Sequence, residues 1–488
     1  MRLCYFNQAI ANQREYFGDQ FRSQRTQAWK ECNRRLYNYY RSFPPQLPES
    51  FRDMEPLFLA VINGCNAGLF RETLHEVYIP RIQREDARFA ANVLGARGTL
   101  LLVLAHFFKH GRWGSPAETG YAAQSLTAED QLFILVQAAV YLTATRESAP
   151  EARLCYERAE ALCHSLHRPL DLYVALMGQW RYLLMTDRLS VAFQIAKRVY
   201  ALAQKQHDAR LKIGACNAMA DTPFWMGDLE TALQYQKRCS AIWRSGGIRS
   251  QFEEVDSQLV ACLCHEGLFQ WHLGETATCR TPIAEAISLA KELSDMHGLA
   301  LALSFAAMLD YFEGNSAELE RLGSELIELS TRQHFAHWLA VGAVYRGSAR
   351  SASGDAVEGL AWIEDGIRDY RAVGSVLLVP FCLALKAEAL HLANRTSEAL
   401  ETTREAEALV ERFEGRWLSP ELHRLRGVFL TALGAEDAQI EASFQEAIRI
   451  AKEQKSVSLG KRAEATYAEY RRQKASGSGG PGFRLSLS

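Results

Sequence analysis

Paired histidines are the first residues in this sequence whose spacing could bind a metal ion. Three pairs are separated by three or four residues, which places both rings on one face of a helix. These pairs are His106 and His110 in "HFFKH", His164 and His167, and His334 and His337. A zinc site needs four ligands, or three and a water molecule, and no further ligand accompanies any pair. We therefore interpret all three as surface pairs and predict no metal site.

Cysteines offer the second possible metal chemistry, and one tight cluster stands out. "CLCH" brings Cys262, Cys264 and His265 together, but zinc sites of this kind combine two such pairs, and no second pair is evident. The eleven cysteines are otherwise scattered, mostly in apolar helical text. Disulfides are rare in the cytosol, where a buried thiol packs like a small apolar side chain. The cysteines therefore indicate a cytoplasmic protein with free thiols.

Catalytic and nucleotide-binding motifs find no match. The pattern GxxxxGK[ST], whose amides and lysine hold phosphates, does not occur. "GSGGPGF" at 477–483 is glycine-rich, but no helix follows it, and a phosphate loop needs the N-terminus of a helix. The residues of a catalytic triad come together only in the folded protein, so one sequence does not show which residues could form one. We predict no catalytic, cofactor-binding or metal-binding residue and no enzyme activity, with an enzyme whose site is unrecognised as an alternative.

The segment 242–256, "IWRSGGIRSQFEEVD", carries the predicted partner-binding residues Trp243, Arg244 and Arg249. A planar arginine side chain presents a fork of donors that fits a carboxylate or another anion. The two arginines flank a Gly-Gly joint, so they could hold an anionic ligand or a carboxylate of a partner. The alternative is a longer loop whose arginines pair with nearby acidic residues: Glu253, Glu254 or Asp256.

Helix corners recur along the chain and indicate which elements position these residues. Glycine or asparagine occurs every forty residues, at Gly274, Gly314, Gly354, Asn394 and Gly434. Upstream, Gly227 lies forty-seven residues before Gly274, and Asp187 lies forty before Gly227. A fixed period of this length marks stacked structural repeats. The stretch "FWMGDLETALQY" (224–235) is therefore interpreted as a helix corner, with its aromatic residues in the core rather than around a cofactor.

Each repeat is predicted to contain two helices. Apolar residues follow each corner at intervals of three and four, and glycine or asparagine suits the left-handed backbone that ends a helix. A mostly small residue stands five positions after each corner, where two helices must come close: Ala192, Ala232, Cys279, Leu319, Gly359 and Ala399. The expected fold is all-α, a right-handed superhelix of stacked antiparallel helix pairs. The forty-residue period also suits HEAT-type pairs, but the small residues favour a tetratricopeptide-like array.

Composition and charge restrict the partners. Residues 1–41 hold eight Lys or Arg against three Asp or Glu, and residues 461–488 hold six against two. Because the net charge is −2, the body between these basic ends is acidic and repels phosphates. Nucleic-acid binding is therefore unlikely along the array, although a DNA-associated regulator acting through the basic ends is an alternative. No apolar run spans a membrane and no signal peptide begins the chain, so we expect a cytoplasmic location.

Several blocks resemble one group of large bacterial regulators. They are 150–189, 284–303, "LALKAEALHLANRTSEAL" (383–400) and "RWLSPELHRLRGVFL" (416–430). In those proteins a predicted ATPase of the STAND type precedes a tetratricopeptide-like sensor array, often with an adenylate cyclase or winged-helix module in front. The resemblance covers about 130–475. Residues 34–125 are similar to the segment after the nucleotide-binding module of NACHT-like proteins.

The resemblance implies a domain organisation and a function. We expect an N-terminal helical region at 1–125, the repeat array at 126–474 and a flexible tail at 475–488. The ATPase motifs are missing, so the chain is interpreted as the sensor part alone or as the remainder of a larger regulator. The expected function is a non-catalytic scaffold or sensor in bacterial signal transduction. It would bind a protein, a peptide or a small ligand in a concave groove, and could act on a separate ATPase or cyclase.

Overall fold

Helices account for nearly all the regular structure of this protein. The computed structural model describes residues 20, 22–85, 88–92, 94–108, 126–145, 148–246 and 257–475, and these contain no β-strand. The helices are α1 (Thr26–Ser42), α2 (Phe51–Ala67), α3 (Phe70–Glu72), α4 (Phe89–Asn92), α5 (Arg97–Ala105), α6 (Ala128–Thr145), α7 (Pro150–Leu166), α8 (Pro169–Thr186), α9 (Leu189–Gln204), α10 (Ala209–Trp225), α11 (Leu229–Gly246), α12 (Gln258–His272), α13 (Arg280–Glu292), α14 (Met296–Phe312), α15 (Ser316–Gln333), α16 (Ala336–Ala352), α17 (Ala356–Ala372), α18 (Val379–Leu392), α19 (Thr396–Phe413), α20 (Ser419–Ala432), α21 (Asp437–Glu453) and α22 (Val457–Ala475).

The chain forms two compact units. The first contains residues up to Tyr141 together with Ala161–Leu166, and the second contains Leu142–Glu160 and the chain from His167 onward. The predicted boundary at 125 and 126 adjoins a stretch outside the described residues and stays a prediction.

A π-helix, Thr73–Gln83, continues α3 and forms the centre of the first unit. Its last residue, Gln83, is buried, and its amide nitrogen donates to Tyr78 Oη, Gln137 Oε1 and Tyr141 Oη at 2.6–3.0 Å. Arg81 donates to four backbone carbonyl groups between residues 41 and 46. These bonds satisfy polar groups that would otherwise be costly to bury. The described residues of this unit are mostly helical.

Helical hairpins stack along the second unit, which confirms the predicted superhelix of antiparallel helix pairs. The corner between the two helices of a hairpin has a positive φ at Gly227, Gly274, Gly314, Gly354, Asn394 and Gly434. Five residues later, a small side chain lets the helices touch: a Cβ on Gly359 would lie 2.5 Å from the Gly347 carbonyl oxygen. Gly227 is therefore a helix corner, as the sequence predicted.

Two details of the corners differ from expectation. Asp187 has extended backbone, with φ −132° and ψ −174°, so the first corner is made without a left-handed residue. A second series of left-handed residues, between one hairpin and the next, also recurs every forty residues: Ser294, His334, Gly374 and Glu414. Only one of these four is a glycine. This second series could not be predicted from the sequence, because three of its four residues are not glycine and such residues seldom adopt a left-handed backbone.

The two helices of each hairpin differ in burial. The even-numbered helices α8 to α22 lie on the inside of the superhelix, where each also contacts the next even-numbered helix. In α14 almost every residue is buried. The odd-numbered helices bury one stripe, as α15 does with Leu319, Leu322, Leu326 and Leu329. Although the inner helices are apolar, no described helix is both long and apolar enough to cross a membrane.

The superhelix closes on itself between the fifth and the sixth repeat. Arg188 Nε donates to Glu414 Oε1 at 3.0 Å, and Lys455 Nζ donates to Glu230 Oε2 at 2.6 Å. These pairs are 226 and 225 residues apart in the chain. The backbone amide of Val376 likewise donates to the Met185 carbonyl oxygen at 2.7 Å. The first hairpins of the array therefore contact the last ones directly.

Alanine at Gly227 is expected to destabilise the array more than alanine at Gly434. Both corners have positive φ, where a Cβ costs about 1 kcal/mol. At Gly227 the Cβ would also lie 2.7 Å from Gln454 Nε2 in the next superhelical turn, whereas nothing lies within 4 Å at Gly434. Thermal unfolding of the two variants measures the difference. Equal shifts in Tm would contradict the contact between turns.

Candidate functional site

A cavity of about 70 Å³ lies between the inner helices of the second unit. Its walls come from α8, α10, α12, α14, α16 and α17 and from the segment that precedes α18. The lining residues are Trp180, Arg181, Leu184, Met185, Asn217, Asp221, Trp225, Ala261, His265, Leu301, Ser304, Phe305, Met308, His337, Trp338, Tyr370, Leu377 and Leu378. We call this cavity the aromatic pocket. It gathers residues from five inner helices, which only a closed superhelix brings together.

Three tryptophan side chains line the aromatic pocket. Trp180, Trp225 and Trp338 are 3–4% exposed, and each indole N–H has a hydrogen-bond partner. Trp180 donates to Thr222 Oγ1 at 2.9 Å, Trp225 to Asp221 Oδ1 at 2.5 Å and Trp338 to His297 Nε2 at 3.2 Å. These bonds hold the ring planes in place, so the apolar wall of the pocket is rigid.

A buried polar group interrupts this wall. His265 Nε2 lies 2.9 Å from Asp221 Oδ1, and His265 Nδ1 lies 2.9 Å from Asn217 Oδ1. Both ring nitrogens therefore lie within hydrogen-bond distance of an oxygen atom. Asp221 Oδ1 also accepts the hydrogen bond from the indole N–H of Trp225. The group offers a ligand a fixed set of charges and dipoles inside an apolar wall, which is the usual source of orientation in small binding sites.

The predicted surface histidines have mixed outcomes. His164 and His167 are exposed, as predicted, and so is His334. The surface interpretation is wrong for His337, which is 5% exposed, lines the aromatic pocket and lies 3.2 Å through Nδ1 from Ser375 Oγ. His334 occupies the left-handed end of α15, so the two rings are not on one helical face. His106 is partly buried, and His110 lies outside the described residues.

The "CLCH" cluster is packed into the core. Cys262 and Cys264 are at most 1% exposed, and Cys262 Sγ contacts Cys239 Sγ at 2.6 Å. Burial raises the pKa of the neighbouring Cys216 thiol to about 11. His265 belongs to the polar group of the aromatic pocket. Within the described ranges, no three His, Cys, Asp or Glu side chains are arranged to hold a metal ion.

The predicted partner-binding residues lie at the end of α11. Trp243 is partly buried against Ile213 and Cys216, and Arg244 is exposed. Arg244 Nη2 pairs with Glu266 Oε1 on α12 at 2.8 Å, an acidic partner that the sequence did not suggest. Arg249 lies in the segment 247–256, outside the described residues. A shared anion site at Arg244 and Arg249 stays a prediction.

A buried ionic network lies beyond the aromatic pocket and was not foreseen. Arg424 is 1% exposed and donates through Nη2 to Glu421 Oε1 at 2.7 Å and through Nε to Glu421 Oε2 at 3.0 Å. Arg462 Nη2 reaches Glu421 Oε1 at 3.2 Å, and Glu388 Oε1 lies 3.6 Å from Arg424. The network joins α18, α20 and α22. Glu421 and Arg424 stand three residues apart, but Glu388 and Arg462 come from distant helices, so only the polarity of these positions on inner helices could have indicated the network.

The two carboxyl groups of this network titrate in opposite directions. Burial would raise the pKa of Glu421, but the charges of Arg424 and Arg462 outweigh burial and lower the pKa to about 2. Glu388 is farther from Arg424, so burial dominates and raises its pKa to about 7. Near neutral pH, Glu421 is ionised while Glu388 is close to half protonated.

Trp417 occupies the centre of the superhelix. It belongs to the short 3₁₀ helix Arg416–Leu418, and its ring is 3% exposed. Its centroid lies 5.2–6.3 Å from those of five rings on four inner helices: Phe224, Trp225, His272, Phe312 and Phe381. The interior of the array is therefore filled by its own aromatic side chains around the axis.

Known proteins share this fold and parts of this sequence. The family model of anaphase-promoting complex subunit 5 matches residues 237–311 and 425–472. An uncharacterized protein of Rhizobium meliloti (strain 1021), R02095, is 21% identical over 293 residues. That match covers 59% of this chain and 28% of the relative, so the chain spans less than a third of that protein.

Solved structures give the comparison of folds. A Rap protein complexed with Competence and Sporulation Factor is 12% identical, with a TM-score of 0.51 over 69% of this chain and 90% of that chain. A STAND protein with a tetratricopeptide repeat sensor from Pyrococcus horikoshii is 9% identical, with a TM-score of 0.37 over 87% of this chain and 74% of that chain. The likeness to Rap supports a tetratricopeptide-like helical-repeat fold for this protein.

Proposed function

We propose that this chain is a non-catalytic sensor or scaffold that binds a peptide or a protein segment and places one apolar side chain in the aromatic pocket. The observation that carries this proposal is the aromatic pocket itself. It combines three fixed indole rings with one buried His–Asp–Asn group. A water molecule needs about 10–15 Å³ of such space, so a cavity of about 70 Å³ has room for a group the size of a side chain.

The fold supports a binding role. Arrays of stacked helix pairs present long inner surfaces, and their ligands contact several repeats at once. The Rap protein of similar fold is complexed with Competence and Sporulation Factor, so an array of this kind can hold a signalling factor. A ligand in the aromatic pocket would contact five inner helices and alter the angles between their hairpins. We propose that this change is read by a separate ATPase or cyclase in the bacterial cytoplasm, whereas STAND-type regulators carry the ATPase in the same chain as the array.

Filling the aromatic pocket is expected to abolish peptide binding. Ala261 lies on α12, is 5% exposed and lines the cavity, so Ala261→Phe would occupy the space meant for the ligand. We would select heptapeptides from a random phage-displayed library on the full chain and measure their affinities by calorimetry. We expect Ala261→Phe to weaken the selected peptides at least tenfold, which corresponds to about 1.4 kcal/mol.

Two further variants make this experiment decisive. Leu301→Trp fills the same pocket from α14 and guards against a local defect of Ala261→Phe. Val357→Phe adds a ring to an outer helix at a residue that is 82% exposed, and should leave binding unchanged. If no peptide is enriched, or if the enriched peptides bind both pocket variants as well as the unmodified chain, the proposed function is wrong.

A further inference from the structure

A second cavity, of about 260 Å³, lies between the C-terminal ends of α14, α16 and α18. We call it the acidic pocket. Its exposed rim includes Gly314 and Ala352, at the corners of two neighbouring hairpins. Its buried floor includes Asp310, Ser348 and Glu388, which are 0%, 9% and 8% exposed. The floor is therefore polar in a part of the array that is otherwise apolar.

Comparison of the repeats shows where this inner position becomes polar. Glu388 stands six residues before the corner at Asn394, and Ser348 stands six before Gly354. The equivalent positions of three other repeats hold buried apolar residues: Leu268, Met308 and Val428. The position is polar in three repeats, and each of these side chains lines a pocket: Asp221, six residues before Gly227, lines the aromatic pocket, and Ser348 and Glu388 line the acidic pocket. Departures of this kind from a local pattern occur where function demands them.

Asp310 supplies an independent sign of a missing partner. Its Oδ1 accepts hydrogen bonds from Arg280 Nη2 at 2.7 Å and from Asn315 Nδ2 at 3.1 Å. Its Oδ2 is buried and has no hydrogen-bond partner among the described residues. A buried carboxylate oxygen without a donor is costly, and native proteins rarely leave one. Asp310 also lines the acidic pocket, so a donor bound there would relieve this cost once the carboxyl group turns towards it.

The charges around the acidic pocket favour a cation. Two ion-pair networks reach the acidic pocket, one through Asp310 and one through Glu388. Together they contain four carboxyl groups and three guanidinium groups: Asp310, Glu313, Glu388 and Glu421, and Arg280, Arg424 and Arg462. When all seven groups are ionised, their net charge is −1. The excess is removed either when Glu388 takes a proton or when a ligand brings one positive charge.

We propose that the acidic pocket binds one organic cation, either a primary ammonium or a guanidinium group. The group would donate to Asp310 Oδ2 and to the Ser348 hydroxyl oxygen and would neutralise the Glu388 carboxylate. It could belong to a free amine or to a lysine or arginine side chain of a partner. Binding would release a proton, because the cation favours the ionised form of Glu388. The acidic pocket is separate from the aromatic pocket, and either proposal can fail alone.

Calorimetry of the full chain with small cations tests this proposal. The probes are n-butylammonium and agmatine, with n-butanol as the uncharged control and KCl to match ionic strength. A terminally blocked Ala-Ala-Lys-Ala-Ala peptide, with its acetyl-lysine form as control, distinguishes a side chain from a free amine. We expect saturable binding of one cation per chain and none of the uncharged controls. At pH 7, two buffers of different ionisation enthalpy should reveal proton release.

Three variants locate the site. Asp310→Asn and Glu388→Gln are each expected to weaken cation binding at least tenfold, and Glu388→Gln should also abolish proton release. Ser348→Leu fills the cavity without touching an ion pair, so it separates loss of the site from loss of folding. Glu401→Gln, on the outer surface with a side chain 70% exposed, is the matched control. The proposal is overturned if no probe binds, if n-butanol binds as well, if KCl alone occupies the site, or if all three variants bind normally.

Discussion

Replacing Trp417 with alanine is expected to lower the free energy of unfolding of the array by about 3–5 kcal/mol, a value typical of a large aromatic residue removed from a core. Trp417 is 3% exposed and is the ring where four inner helices meet. Truncation leaves a cavity on the axis of the superhelix, and the surrounding rings cannot close it because they are held by four different inner helices. Urea unfolding followed by circular dichroism measures the loss.

Two control variants show whether the lost stability is due to the missing ring on the axis. Trp417→Phe keeps a ring on the axis and should cost less than half as much. Val357→Ala removes a side chain that is 82% exposed and should change the stability by no more than about 0.5 kcal/mol. If Trp417→Ala shifts the stability by less than 1 kcal/mol, the central ring does not hold the turns together.

Replacing Arg424 with methionine is expected to cost about 3–5 kcal/mol at pH 7, because it leaves the Glu421 carboxylate buried without its main partner. The cost should depend on pH. In the native protein the pKa of Glu421 falls from 4.5 to about 2, so its stabilising effect is present above pH 4.5 and is lost as the pH falls towards 2. In the Arg424→Met variant, Glu421 no longer makes this pH-dependent contribution to stability. Thermal unfolding between pH 3 and pH 8 should therefore show the largest gap from wild type at high pH.

Glu388→Gln is the control for this experiment, because it has the opposite sign. The folded pKa of Glu388 is about 7, above its ordinary 4.5, so its contribution is full below pH 4.5 and is lost as the pH rises through 7. Glutamine cannot ionise, so the variant should gain stability relative to wild type at pH 8, by on the order of 1–3 kcal/mol. A parallel pH dependence for Arg424→Met and Glu388→Gln would contradict the two assignments.

Local features of the fold could be predicted from the sequence. The corner glycines, the close contact after each corner and the helix pairs all follow from residue types at a fixed spacing. They were right because each depends on contacts between neighbours in the chain. Asp187 and the second corner series were missed because tertiary packing there imposes a backbone that the residue types do not favour.

The candidate sites could not be predicted in the same way. The aromatic pocket, the ionic network and the position of Trp417 depend on the small rotation from each repeat to the next, which a forty-residue period does not reveal. His337 illustrates the difficulty: its spacing from His334 suggested a surface pair, yet it faces the axis. The sequence does contain a signal in Asn217 and Asp221, two polar residues that stand four apart in the mostly apolar stretch from Ile213 to Trp225.

Closure of the superhelix changes how this protein is expected to fold and to vary. An open solenoid can nucleate anywhere and tolerates the gain or loss of a repeat, because each unit depends only on its neighbours. Here the Arg188–Glu414 and Glu230–Lys455 pairs join segments about 225 residues apart. Contacts of such length in the chain slow folding and make its final step concerted. Deleting or duplicating one hairpin between the two partners would separate both ion pairs. We therefore expect this protein to tolerate a change in the number of repeats no better than a substitution in its core.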